Sequence, residues 1–478
     1  TQQETLFPYT TLFRSPRTTG PTRALADFVA GARSASFDAR TLRRARYHSL
    51  DTIGAMLAGS RQETTDVAAR ALATCGAAGS TPAPGRRERL DLLSAAFLGA
   101  AAGHGLELDD GYRAGSVHPG TVVVPAALAA AHHHRCDGAT FLAAVVAGYE
   151  VMCRLSAASH PHARWRGFHN TATTGVFGAA AVWAVMAGFD ADRVEHAFGA
   201  ACSTASGLFT FLLGGEVKRL HPGFAARSGL TAGALAGQGL EGPPGSLESR
   251  DGYFQAYAGG DANGVDYAAL DILSAGAGSP HAITECYIKP HACCRHIHAP
   301  IDALQALMRE EGLAAADLAE IRVGTYRVAA AHDLKTWASF TGAQMSIPFV
   351  LATAARFGRA DLDLFTAAHR ADPESAALAG RVSVTVDPAC EAAYPAHRPA
   401  AVTVAASDGR VLSRRVDEPY GAPANPLDDA DLEAKMVGLA APVLGEAAAR
   451  RIAARIWALE EERDMRPLVE ALALPADV

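Results

Sequence analysis

From about Pro21 to Gly260 apolar residues recur at three- and four-residue steps, as in TRALADFVAGARS (22–34), RTLRRARYHSLDTIGAMLAGS (40–60), LDLLSAAFLGAAAGHGLEL (90–108) and TFLAAVVAGYEVMCRLSAA (140–158). That spacing predicts a succession of helices. Gly- and Pro-rich stretches, CGAAGSTPAPGRR (75–87) and GLEGPPGS (239–246), punctuate them. Alanine at so many helical positions lets helices approach closely, so the natural packing is a compact all-α body. After about residue 275 the period changes to two. EIRVGTYRV (320–328), RVSVTVD (381–387) and PAAVTVAASDGRVLSRRV (399–416) read as strands, with Asp408-Gly409 supplying a hairpin turn. Helical patterns at 298–311 and 343–357 lie between them, which makes a smaller α+β domain. Two helices, 428–444 and 446–462, close the chain and are expected to return to the helical body. The expected class is mainly α.

Residues 1–15, TQQETLFPYTTLFRS, have neither periodicity nor the basic, apolar and small-residue sections of a signal peptide. The run 5–15 looks like the in-frame translation of a DNA-sequencing adapter and is set aside as non-native. Of the 478 residues, 49% are hydrophobic and 19% charged, enough apolar surface for a large core. A net charge of −7 argues against a partner such as nucleic acid or an anionic membrane. The apolar run at 175–188 is too short to span a bilayer, so no transmembrane segment is expected. Eight cysteines without a Cys-x-x-Cys pair argue against a disulfide scaffold or zinc ribbon and for a reducing cytoplasm.

Four polar clusters interrupt this background. HGLELDDGYRAGSVHPG (104–120) carries Glu107, Asp109, Asp110, Arg113 and His118 where a helical pattern ends. It reads either as a solvated helix terminus or as a site; a Mg²⁺ role lacks the second half of a DDxxD box. RWRGFHNTATTGVFGAAA (164–181) places His169 before a helix start, as a cap or as an anion-site residue. EVKRLHPGFAARSGLTAGALAG (216–237) gathers Lys218, Arg219, His221 and Arg227 at a helix N-terminus. Cations there oppose the helix dipole unless an anion is nearby, which favours a functional reading. ECYIKPHACCRHIHAPIDALQAL (285–307) packs Lys289, His291, Cys293, Cys294, Arg295, His296 and His298 into ten residues. Its Cys/His density raises zinc, but no ligand spacing cooperates and Lys289 and Arg295 would repel a cation. His132–His134 read as a solvated helix end.

In this order the four clusters resemble the MmgE/PrpD family, whose members include 2-methylcitrate dehydratase, cis-aconitate decarboxylase and iminodisuccinate epimerase. The resemblance runs through SLDTIGAMLAGS (49–60), VVAGYEVMCRL (145–155), GAQMSIPFVLA (342–352) and DEPYGAPANPLDDADLEAKM (417–436) as well as the clusters, covering residues 22–445. It implies an all-α domain over 16–272, a smaller α/β lid domain over 273–425 and C-terminal helices over 426–478 that rejoin the first. It also implies a site between the domains with neither metal nor organic cofactor, and a homodimer. By position, the family's site residues fall on Asp109, Asp110, His118, His169, Lys218 and His298. Glu107 stands where the family commonly has aspartate, and Gly111 where it has a threonine, a departure that bears on the decarboxylase reading.

Such residues suit proton removal alpha to a carboxylate in a small polycarboxylic acid, with fixed cations stabilising the charge that builds. Lys218, with Arg227 and Arg295, would bind substrate carboxylates; Glu107, Arg113, His221 and Lys289 complete the expected binding set. His169 and His298 are the candidate base and acid, in either order. Asp109 or Asp110 would orient a histidine or protonate a leaving hydroxyl. The expected activity is a hydro-lyase acting on a hydroxylated di- or tricarboxylate. Epimerase and decarboxylase outcomes share the same site, and a non-catalytic carboxylate-binding protein is the alternative of another class.

Overall fold

The computed structural model describes residues 20–270 and 280–475. The reading of residues 1–15 and the expected boundary at 272/273 lie outside them.

The fold is mainly α, with a smaller α/β part. Its centre is a set of helices with almost no polar face. Every residue of Gly175–Met186 is buried, within a helix running Gly175–Ala187. That helix packs against Gly138–Ser159, Gly120–His134 and His221–Gly237. A helix surrounded by others has no need of a polar stripe, which is why its pattern is apolar on all sides. The helix expected over 140–158 behaves the same way: Gly138–Ser159 is long and apolar enough to cross a membrane, yet 89% of its most apolar window is buried within the body. Small residues set the spacing. A Cβ on Gly229 would overlap the Val176 carbonyl and meet Ala179 Cβ at 2.6 Å, so the two backbones touch where glycine stands.

The Ala39–Gly59 helix starts on an Asp38 cap and links this centre to the chain's end. Asp429–Leu444 and Glu446–Trp457 both pack against it, and Arg466–Ala471 packs against Gly120–His134. Leu432, Met436, Ile452, Ile456 and Leu468 accordingly share one apolar core with the first half of the chain.

The second core belongs to the α/β part. Its sheet has four strands in the order Val382–Val386, Leu318–Thr325, Ala400–Ala406, Val411–Val416. The first pair is parallel and the other two antiparallel. Gly409, at φ 89°, makes the hairpin turn that the Asp-Gly pair predicts. The helix His298–Glu311 packs on this sheet and against Ile347–Phe357. The expected 343–357 helix is in fact broken: Phe340–Gln344 ends first, and Ser346 caps a new helix with Pro348 in its first turn.

Two short pairings escaped the sequence pattern. Ala78–Pro82 pairs with Arg89–Leu90 inside a stretch read as a loop, and Gly111–Tyr112 pairs with Cys286–Tyr287. The second ties the loop after the Leu92–Gly103 helix to the start of the α/β part, and so draws the first and fourth polar clusters together.

The close approach at Gly229 predicts that Gly229→Leu destabilises by about 3 kcal/mol through overpacking. Gly438, exposed within a helix and with nothing within 4 Å of its virtual Cβ, should instead gain about 0.5–1 kcal/mol as Gly438→Ala. Urea unfolding of the two variants reads both signs.

Candidate active site

The loop after Gly103 carries its charges inward. Asp109 is 1% exposed. Its Oδ2 accepts from His104 Nδ1 at 2.8 Å and lies 2.8 Å from His118 Nδ1, while Oδ1 is 3.7 Å from Lys289 Nζ. Burial alone would push this carboxyl up, but His118, His104 and Lys289 hold it well below the usual range. His118 Nδ1 also donates to the Asp110 carbonyl at 2.6 Å. With only acceptors at Nδ1, the proton of the neutral ring resides there, and Nε2 keeps a free lone pair. His104 is completely enclosed; burial draws it down to about 4 against the pull of Asp109, so it is neutral.

The neighbouring aspartate turns the other way. Asp110 accepts from the Gly120 backbone N–H at 2.9 Å and from the Tyr149 hydroxyl at 2.6 Å, with His48 Nδ1 2.8 Å away. It anchors the start of the Gly120–His134 helix and does not line the cavity.

Glu107 sits at φ 55°, a left-handed conformation that costs a non-glycine residue about 1–3 kcal/mol. Its surroundings fix it there. Lys218 Nζ binds one carboxylate oxygen at 2.5 Å, and Lys289 Nζ lies 3.5 Å from the other and 3.2 Å from the Glu107 carbonyl. Burial pushes Glu107 up, but the two lysines outweigh it and hold it far below the carboxylate range. Lys289, 1% exposed, is held above its ordinary value by Asp109 and Glu107 despite its burial.

These groups face a cavity of about 430 Å³ between the helical body and the α/β part. Lys218, Arg219, Lys289, Arg295 and Arg398 line it against Glu107 and Glu216, with His118, His169 and His296 among them. The excess of fixed cations in a partly enclosed space makes it an anion site. A groove of about 500 Å³ between His132–Arg135 and Asp464–Glu470 is larger. In it Arg466 pairs with Asp464 and His132 with Glu470, and it collects no buried titratable cluster.

His169 is neutral: burial, then His104, His221 and Lys218, hold it well below its ordinary value. Its Nδ1 is 2.9 Å from His221 Nδ1, and its ring lies 5.1 Å from Phe209 and 5.2 Å from Phe211. His221 thus positions His169 from outside the cavity. Arg295 Nη1 donates to the Tyr420 carbonyl at 2.8 Å and Nη2 to the Pro419 carbonyl at 3.1 Å; burial draws it down to about 10. His298, 0% exposed, contacts Arg295 Nη1 at 3.1 Å from behind the wall. The histidine of that segment that reaches the cavity is His296. Arg113 is engaged by Glu418 at 2.8 Å and does not line the cavity. Arg227 is exposed on the His221–Gly237 helix, away from it.

Sequence reasoning missed Arg398 and Tyr287. Arg398 precedes a strand, and no local pattern shows which way it points. The Tyr287 ring lies 5.0 Å from the Arg295 guanidinium and 5.7 Å from that of Arg398, an aromatic support between two cations. Among the described residues no group of three or more His, Cys, Asp or Glu side chains is set to hold a metal ion.

A family model of the MmgE/PrpD N-terminal domain matches residues 23–265, and one of the C-terminal domain matches 291–461. The chain belongs to the MmgE/PrpD family. Among its relatives, a cis-aconitate decarboxylase of Aspergillus terreus is 27% identical over 480 residues, covering 95% of this chain and 96% of the relative. A cis-aconitate decarboxylase-like protein of Aspergillus oryzae is 29% identical, over 95% and 97%. Human cis-aconitate decarboxylase is 28% identical over half of each chain. In this MmgE/PrpD protein both matched domains line the cavity, Lys218 and His118 from the first and Arg295 and Arg398 from the second.

The Glu107 cluster makes a pH prediction. Its folded carboxyl, and that of Asp109, bind a proton less readily than the unfolded values of about 4.3 and 3.9. The stabilisation is therefore complete above those values and is lost as pH falls through the folded ones. Glu107→Gln, which leaves Lys218 without its counter-charge and Lys289 with Asp109 alone, should cost about 3 kcal/mol at pH 7. Urea titrations should show the gap to the parent protein narrowing below about pH 4.

Proposed function

We propose that this protein is a lyase of small polycarboxylates, working by proton transfer at a carbon next to a carboxylate. The observation that carries the reading is the pairing of a cation-lined cavity with the His118–Asp109 couple. Substrate carboxylates would lie among Lys218, Lys289, Arg295 and Arg398. Arginine suits two-point contact with a carboxylate, and lysine acts as a point charge. His118 Nε2 would carry the proton, with Asp109 orienting the ring and stabilising the imidazolium whenever it forms. Neutral His169 would bind by hydrogen bonding rather than by charge. His298, the acid or base that the sequence favours, would act only through Arg295.

Loss of CO₂ from a cis-aconitate-like tricarboxylate is the first reading, supported by the whole-length relatives. The C–CO₂⁻ bond breaks, its electron pair becomes a new double bond, and the old double bond takes a proton from the His118 imidazolium beside a retained carboxylate. Loss of water from a hydroxylated di- or tricarboxylate, of the 2-methylcitrate type, is the second. The free lone pair on His118 Nε2, ready to remove a proton, favours it. Both would rest on the same electrostatic stabilisation.

Incubation with cis-aconitate, 2-methylcitrate, citrate and hydroxy-diacids in D₂O, followed by NMR, separates the outcomes. Decarboxylation yields CO₂ and a product with one deuterium, dehydration yields an alkene at unchanged carbon count, and epimerisation yields deuterated substrate. Ligand-induced thermal stabilisation with neither exchange nor product across the panel would reject the lyase in favour of a binding protein. His118→Asn should lower kcat by about 10²–10⁴-fold with the fold intact by circular dichroism. Lys218→Ala should lower kcat/KM by at least about tenfold; unchanged kinetics in either variant would remove that residue from the mechanism.

A further inference from the structure

One reactive pair on the cavity wall has no part in the proposed chemistry. Cys294 Sγ lies 3.6 Å from His332 Nε2. His332 Nδ1 donates to the Met345 carbonyl at 3.1 Å, and its ring stacks on His296 with centroids 5.7 Å apart and planes 24° from parallel. The ring is therefore held with Nε2 toward the sulfur. Cys294 is held in turn: its backbone N–H donates to the Gln344 carbonyl at 3.0 Å, and the Gln344 side chain bridges the Leu106 and Ala292 carbonyls at 2.7 and 2.8 Å. Cys294 lines the cavity, whereas the adjacent Cys293 is 0% exposed.

We infer that Cys294 and His332 form a nucleophilic thiol site on the cavity wall, which takes small anionic electrophiles: carboxylates carrying a displaceable halide or a conjugated double bond. The thiol proton resides on His332 Nε2. With a haloacid, the sulfur forms a bond to the carbon and the halide leaves with its bonding pair. With an unsaturated acid, the sulfur adds to the β-carbon, the π pair moves to the α-carbon, and that carbon takes the proton from His332. Neither step needs an oxidant.

The charges around the pair are consistent with this. Burial pushes the Cys294 thiol up, but the His332 contact brings it below its ordinary value. Burial lowers His332, and Cys294 raises it beyond compensation. Glu107 opposes the thiolate, Lys289 supports it, and His296 and Tyr326 are the other titratable groups that face the pair. Cys293 is pushed far up by burial, so two neighbouring thiols differ sharply in reactivity. The cations that make the cavity an anion site concentrate a carboxylate reagent beside Cys294.

The experiment is alkylation by bromoacetate and by bromoacetamide, read by peptide mass spectrometry at Cys294 and at Cys75, an exposed thiol in the same chain. The Cys294-to-Cys75 rate ratio should be at least about tenfold larger with the anionic reagent, and added salt should shrink it. From pH 8 to 6 the Cys75 rate should fall about tenfold per unit, as for an ordinary thiol, while the Cys294 rate stays nearly flat. His332→Gln should restore the ordinary pH dependence at Cys294 and lose its effect above about pH 9. A reagent preference no greater at Cys294 than at Cys75, or a Cys294 rate that falls with pH in step with Cys75, overturns the inference. Neither readout requires turnover, so a failure of the lyase reading would leave the result intact and separate.

Discussion

Two carboxylates on one loop, Glu107 and Asp109, are the constraint on which the site depends. Lys289 is enclosed and charged, and an ammonium in that position is tolerable only because both carboxylates lie within 3.5 and 3.7 Å. Lys218 reaches the same Glu107 from the other side. The loop therefore joins cations from both halves of the molecule and keeps them charged without cancelling them. Arg219, Arg295 and Arg398 add further positive charge to the same cavity, leaving a cationic excess that an anionic ligand would balance.

Such a loop has to be rigid, and the body supplies the rigidity from beneath. Asp110 fixes the loop to the start of the Gly120–His134 helix. Lys435, on a helix more than three hundred residues further along, donates to the Leu108 carbonyl at 3.0 Å and pairs with the buried Asp51. Burial raises that carboxyl to about 6 even with the lysine in contact. The return of the C-terminal helices to the first core thus does more than bury apolar surface. It carries a cation to the carbonyl next to Asp109.

The four clusters were legible because polar groups in an alanine-rich chain are conspicuous, and the order of the clusters carries the family. The change from period three-to-four to period two also located the sheet. What the sequence could not show is direction. In Asp109-Asp110 one carboxylate supports a cavity histidine and the other a helix start, and adjacency alone gives no way to tell them apart. His296 and His298 differ by two positions across the start of a helix, and their roles exchange with respect to the cavity. Arg227 follows Lys218 by nine residues and is the seventh residue of the His221–Gly237 helix, whose buried face points to Phe97 and Val176. Arg398 and Tyr287 reach the site only through tertiary pairing, one of them across a bridge two residues long.

That bridge also changes the meaning of Gly111. Read along the chain, the glycine is the loss of a hydroxyl that the family pattern places there. In the fold, Gly111 and Tyr287 are cross-strand partners, and a Cβ on residue 111 would overlap the Tyr287 hydroxyl. A threonine could not enter without displacing the tyrosine. The cavity wall therefore still carries a hydroxyl near this position, supplied from the opposite strand and set beside the Arg295 and Arg398 guanidiniums. The phenol reaches further from its backbone than a threonine hydroxyl would, and its ring lies against both guanidiniums. The departure at 111 consequently gives no reason by itself to set decarboxylation aside. Its physical effect is on the shape of the cavity where a substrate carboxylate would meet the arginines.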